Sequence, residues 1–164
     1  MTPTLTLFCG LPGSGKTTLA KRLEADGAGF RICTDDFRAE LGVPHQDSHF
    51  HDRLQRVLYR QALALLEHGT DVILEDGLWT RAERAQKFAD AYLRGARIVL
   101  HVFDVPRDLL WARLQERRAT AYAGSYPMSE RELDSAWQIF QPPTTTELAD
   151  IDQFHVHSGT KLDE

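Results

Sequence analysis

Apolar and polar positions in the 164-residue chain switch between two periods. Short β-like runs are expected at Thr4–Cys9, Phe30–Thr34, Asp71–Glu75, Ala96–Phe103 and Phe154–His157. Between them, apolar residues recur three and four apart. Helices are therefore expected at Lys16–Asp26, Asp36–Leu41, Ser48–His68, Arg81–Arg94, Arg107–Ala121 and Ser129–Phe140. The first carries Leu19 and Leu23 on one face. The third carries an apolar stripe of Phe50, Leu54, Leu58 and Leu65, with Arg53, Arg56 and Arg60 on a separate basic stripe whose default reading is a solvated face. The fifth has a core stripe of Leu109, Leu110 and Leu114. Strands alternating with helices predict an α/β fold, with a five-stranded, mostly parallel sheet covered on both faces. The chain length suits one domain over residues 1–164. The Pro142–Pro143 pair stops the last helix and leads into a C-terminal segment, which either adds the fifth strand or stays loose.

Composition narrows the function. No apolar run approaches the roughly 18 residues of a membrane span, and the N-terminus lacks the basic start and long apolar stretch of a secretory signal. A cytoplasmic protein with no membrane partner is expected, with Cys9 and Cys33 reduced and packed at strand ends. Net charge is −5, of which −4 lies between Thr144 and Glu164, so the body is nearly neutral. A protein that grips long nucleic acid by charge would be basic. A short nucleic-acid end held in a local pocket stays open, and oligomeric state is not readable.

Gly10 to Thr18 read GLPGSGKTT, matching G-x-x-x-x-G-K-[ST] at Gly10, Gly15, Lys16 and Thr17. Glycines let backbone N–H groups turn inward around phosphate oxygens, and the following helix starts with its positive end toward them. The expected ATP-binding residues are Gly10, Pro12, Gly13, Ser14, Gly15, Lys16, Thr17 and Thr18. Lys16 would reach the β- and γ-phosphates, and the Thr17 hydroxyl would ligate Mg²⁺.

Ligands in such sheets bind beyond the carboxyl ends of the strands. The second strand leads to Thr34-Asp35-Asp36-Phe37-Arg38, the third to Glu75-Asp76-Gly77, and the fourth to Asp104 and an arginine-rich helix. Phosphoryl transfer to an alcohol needs a carboxylate to accept the hydroxyl proton and cations to neutralise the transferred group. Asp35 and Asp36 are candidates for the first role, although one of them or Thr34 could instead cap the short helix. Glu75 and Asp76 end an apolar strand, where an acid often holds Mg²⁺ through water. Arg113 and Arg117 are four apart, so both should project from one helical face and could close over a triphosphate. Phe37 and Trp79 could stack on an acceptor ring or pack in the core. His45, His49 and His51 lie close in sequence without completing a recognisable metal spacing.

With GLPGSGKTT, TDDFR and DVPRDLLWARLQERR together, the chain resembles the kinase domain of phage-type polynucleotide 5′-hydroxyl kinases. It also resembles the related small ATP-binding kinases, zeta-toxin-like and antibiotic-phosphorylating enzymes among them. The resemblance implies a P-loop kinase fold with an Arg-bearing lid, and ATP and Mg²⁺ as cofactors. It implies Asp35 as general base, Arg38 as a contact to the acceptor's phosphate, Asp76 as an acceptor-binding acid and Arg113 with Arg117 as the lid pair. Lys16 completes the expected catalytic set. Gly77-Leu78-Trp79 departs from that family, in which a small polar residue tends to follow the acid of the third strand. The expected function is transfer of the ATP γ-phosphate to a hydroxyl of a small molecule. A polynucleotide 5′-hydroxyl acceptor and a nucleotide-dependent regulatory ATPase are the alternatives.

Overall fold

A computed structural model describes residues 2–119 and 127–159. Its strands are β1 (Thr4–Cys9), β2 (Phe30–Ile32), β3 (Val72–Leu74), β4 (Arg97–Phe103) and β5 (Gln153–His157). Its helices are α1 (Lys16–Ala25), α2 (Thr34–Glu40), α3 (Ser48–Glu67), α4 (Arg81–Leu93), α5 (Arg107–Ala119), α6 (Glu130–Ile139) and α7 (Thr145–Ala149). The five strands form one sheet in the order β2-β3-β1-β4-β5. Every pairing is parallel, which goes beyond the mostly parallel sheet expected.

The strands alternate their side chains between two apolar layers. Leu5, Leu7 and Cys9 of β1 pack with Leu58, Ala62 and Leu66 of α3 and with Phe88 and Ala91 of α4. On the opposite face Phe8 packs with Leu19 and Ala20 of α1, Leu110 and Leu114 of α5, and Leu133 and Ala136 of α6. β3 is buried throughout and β1 at all but its first residue, because helices cover both faces of the sheet.

Three details differ from the sequence expectation. β2 stops at Ile32, and α2 begins at Thr34 after an extended Cys33. Asp35 and Asp36 therefore sit in the first turn of α2, where carboxylates offset the positive helix end. The stripe of α3 is buried through Leu58, Ala62 and Leu66, whereas Phe50 is only half-buried. The segment after Pro143 forms α7, begun by a reciprocal Thr144–Glu147 capping box, before it adds β5 at the sheet edge. α7 has five residues, too short for apolar periodicity to reveal. Residues 120 and 121 of the expected fifth helix lie outside the described residues.

Candidate active site

β1 ends in a loop whose backbone demands glycine at particular points. Gly13 and Gly15 hold φ of 83° and 106°, a region that side-chain-bearing residues avoid. A Cβ on Gly10 would lie 2.8 Å from Ser14 Oγ and 2.9 Å from Phe103 Cβ, so only hydrogen fits there. α1 starts directly at Lys16, and the first-turn amides of a helix lack intrahelical partners.

Lys16 curls over this loop, its Nζ donating to the carbonyls of Gly10 and Leu11 at 2.8 Å each. Burial of the ammonium pulls its pKa down to about 8, although Glu75 opposes that shift. The Thr17 hydroxyl donates to the Glu75 carboxylate. Arg31 holds the other Glu75 oxygen with its Nε at 2.7 Å and reaches Asp36 at 2.8 Å.

A cavity of about 540 Å³ opens above these residues, lined by loop residues from Pro12 to Thr17, by Thr34 and Asp35, by Glu75 to Trp79, and by Arg117. Thr18 is exposed outside that wall. Asp35 is well exposed, with its carboxylate 3.9 Å from both His51 Nδ1 and Arg38 Nε. Asp76 is buried beside Thr34, whose hydroxyl lies 3.4 Å away. Burial raises its pKa; a Gln55 hydrogen bond, the Lys87 charge and Thr34 act in the opposite direction.

The arginines part company. Arg117 lines the cavity. Arg113 instead directs one nitrogen at the Gly13 and Ser14 carbonyls, 3.4 Å from each, and donates another to the Gly159 carbonyl at 2.6 Å. Arg38 is 4% exposed, donates to the Val43 carbonyl at 2.8 Å and does not line the cavity. Phe37 is likewise outside the wall and 39% exposed. His45 and His51 reach the cavity and His49 does not. Among the described residues no group of three or more His, Cys, Asp or Glu is arranged to hold a metal ion.

The sequence reading passed over the far wall, which α3 and α4 build from Asp52, Gln55, Glu83 and Lys87. The spacings Asp52/Gln55 and Glu83/Lys87 carried the signal, since residues three or four apart share a helical face. It also passed over Arg84. This side chain is fully buried and donates to the Leu78 carbonyl at 3.0 Å, fixing a residue held at φ 41°. The same segment is tied to the phosphate loop: Gly10 N–H donates to the Gly77 carbonyl, and Trp79 Nε1 donates to the Gly10 carbonyl at 3.2 Å.

A parallel sheet in this order, with a glycine loop feeding α1 and polar residues at successive strand ends, is the P-loop kinase fold. The family model described as AAA domain matches residues 5–143, and the chain belongs to that family. Among solved structures, a Chloroflexus aurantiacus protein named only provisionally as a kinase is 18% identical. It aligns over 98% of this chain and 90% of its own, with a TM-score of 0.76. A chain of the Pnkp1/Rnl/Hen1 RNA repair complex is 24% identical over 92% of this chain, with a TM-score of 0.71. This protein spans 47% of that chain's length. A sugar kinase from Janibacter sp. is 19% identical, covering 95% of this chain and 85% of its own, with a TM-score of 0.65. A search of curated proteins gave no match. Among the described residues, no helix is long and apolar enough to cross a membrane.

Proposed function

We propose that this protein is an ATP-dependent kinase that transfers the γ-phosphate to a hydroxyl group of a small molecule. The observation that carries the reading is the shared cavity: Lys16 and Thr17 of the phosphate loop face the same space as Asp35, Asp76 and Arg117. Loop amides and Lys16 bind the donor phosphates. Asp35 accepts the hydroxyl proton as the acceptor oxygen forms its bond to the γ-phosphorus. The bond from that phosphorus to the β,γ-bridging oxygen breaks, and ADP leaves with the bridging oxygen. Arg117 neutralises charge on the transferred group, Asp76 holds the acceptor, and Arg113 keeps the loop in shape. The Thr17 hydroxyl and Glu75 carboxylate are hard oxygen donors suited to Mg²⁺, which would need phosphate and water oxygens to complete its shell. When bound, the ion would supply charge neutralisation at the β- and γ-phosphates.

A 5′-hydroxyl polynucleotide acceptor is the second reading, favoured by the TDDFR element and the likeness to a chain of an RNA repair complex. The buried position of Arg38 weighs against it. The test is transfer of labelled γ-phosphate from ATP to pooled hydroxyl compounds and to a 5′-hydroxyl oligonucleotide, with Asp35→Asn as control. Labelled small-molecule product that disappears in the variant supports the kinase reading. Rapid release of free phosphate with no acceptor present would make it a regulatory ATPase instead.

A further inference from the structure

The cavity divides into two halves of different charge. Its donor half carries Lys16 and Arg117. Its far half is formed by Asp35 of α2, Asp52 of α3, Asp76 after β3, and Glu83 with Lys87 of α4. The side chains of Asp35, Asp52 and Glu83 lie at the exposed mouth, and Asp76 forms the buried floor.

The basic groups nearest the far half are held by the protein's own groups, and His51, which also lines the cavity, has its Nδ1 3.9 Å from the Asp35 carboxylate. Arg38 does not line the cavity; it donates to the Val43 carbonyl at 2.8 Å, and its Nε lies 3.9 Å from the Asp35 carboxylate. Lys87 has its ammonium 3.4 Å from the centroid of the Tyr59 ring, a cation–π arrangement, and it also faces Asp76. The Tyr59 hydroxyl in turn donates to Asp90 at 2.6 Å, which fixes the ring under the lysine. His45 has its pKa lowered by burial, which favours its uncharged form.

An acceptor bearing a phosphate or carboxylate would therefore bring negative charge against three mouth carboxylates. Like charges set together on binding reject a ligand strongly. A polyhydroxy compound meets the opposite situation. Carboxylates are acceptor-only groups with several lone-pair sites, so each can take two hydroxyl hydrogens. An ammonium group on the ligand would add charge-assisted hydrogen bonds to the same oxygens.

We infer that the acceptor is a neutral or amine-bearing polyhydroxy compound without a phosphate or other anionic group, selected by Asp52 and Glu83 at the mouth and Asp76 at the floor. The inference rests on the kinase reading and adds the charge class of the acceptor to it.

The experiment measures labelled γ-phosphate transfer to three pools. The first holds neutral sugars, polyols and nucleosides. The second holds amino sugars and aminoglycosides. The third holds sugar phosphates, nucleoside 3′-phosphates and 5′-hydroxyl oligonucleotides. Product should come from the first two pools, with kcat/KM at least ~10²-fold below theirs for the third. Asp52→Lys should reverse the trend, weakening the amine-bearing acceptor and improving use of phosphorylated ones by ~10-fold or more. Equal or better transfer to the third pool overturns the inference while leaving a kinase in place. Transfer to none of the pools, with ATP still bound, overturns it too. Failure of the wild-type protein to bind ATP strikes instead at the kinase reading beneath it.

Discussion

Arg84 of α4 and Glu147 of α7 form a two-pronged ion pair inside the protein, with Nε–Oε1 at 3.0 Å and Nη2–Oε2 at 3.3 Å. The arginine side chain is wholly buried and that of the glutamate 9% exposed. Arg84 also grips the Leu78 carbonyl, so the pair ties a short C-terminal helix to the loop that follows β3. Burial alone would raise the Glu147 pKa, but the Arg84 and Thr144 hydrogen bonds outweigh it and hold the carboxyl below its ordinary value. Removing one partner leaves the other charge buried, at a cost of about 3–5 kcal/mol. Arg84→Met should accordingly lower Tm by on the order of 10 °C in thermal unfolding. A depressed carboxylate pKa gives stability that is present above the unfolded value and lost as pH falls through the folded one. The stability gap between wild type and Glu147→Gln should therefore shrink in acid. A gap independent of pH would mean the pair contributes through packing alone.

The contact between Thr17 and Glu75 predicts an effect on metal dependence. Glu75 sits between the Thr17 hydroxyl and Arg31, so it orients the hydroxyl that would ligate Mg²⁺. Groups that orient metal ligands commonly change affinity by about 10–100-fold when removed. Glu75→Gln should raise the Mg²⁺ concentration for half-maximal activity by that order, read from a Mg²⁺ titration at saturating ATP. An unchanged midpoint would reduce Glu75 to a partner of Arg31.

The phosphate loop, the five strands and six of the helices were legible because each rests on local signals: a motif of fixed spacing, or apolar periodicity over one element. The start of α2 was not, because Thr34, Asp35 and Asp36 read equally as a strand end and as a helix first turn. Arg113 and Arg117 show a second limit. Spacing put them on one face of α5, but which one meets the cavity depends on how close that helix packs to the Gly13 and Ser14 carbonyls. The acidic far wall needed α3 and α4 side by side, and Arg84 needed α7, contacts between segments far apart in the chain.

Asp35 has no direct contact with Thr17 or Lys16 among its ion pairs, and its carboxylate is 63% exposed at the cavity mouth. The general-base role proposed for Asp35 would act on the acceptor and not on the nucleotide. Asp35→Asn should cut kcat by at least ~10² while the Kd for ATP stays within a few-fold. A matching loss of ATP affinity would reassign Asp35 to the donor side.

The two arginines of α5 should separate by the kind of damage they cause. Arg117 faces the cavity, so Arg117→Ala should lower kcat by ~10²-fold or more with nearly intact ATP binding, as expected for charge supplied to the transferred group. Arg113 braces the loop and Gly159, so Arg113→Ala should weaken ATP binding and lower Tm together. Steady-state kinetics with thermal unfolding on both variants distinguishes the roles. Identical kinetic profiles would instead support the paired lid implied by the resemblance.

Lys16 predicts a proton signature on nucleotide binding. In the free protein its pKa is lowered to about 8, chiefly because its ammonium is buried. Phosphate charge at the same nitrogen favours the charged form, so ATP binding must raise that pKa. At pH near 8.5 much of the free protein carries a neutral Lys16, and binding should draw a proton from solution. Titration calorimetry in buffers of different ionisation enthalpy should then register net uptake attributable to Lys16, absent in Lys16→Met. Uptake should fade below pH 7, where the lysine is already charged, and ATP affinity should fall as pH rises through about 8. The same shift acts on the free fold with a defined sign. Between about 8 and the ordinary lysine value of 10.5 the unfolded chain binds more protons than the folded one, so this group makes stability rise with pH. ATP affinity and free-protein stability should thus move in opposite directions across that window. If they move together, or if Lys16→Met takes up the same proton, another group titrates with the nucleotide.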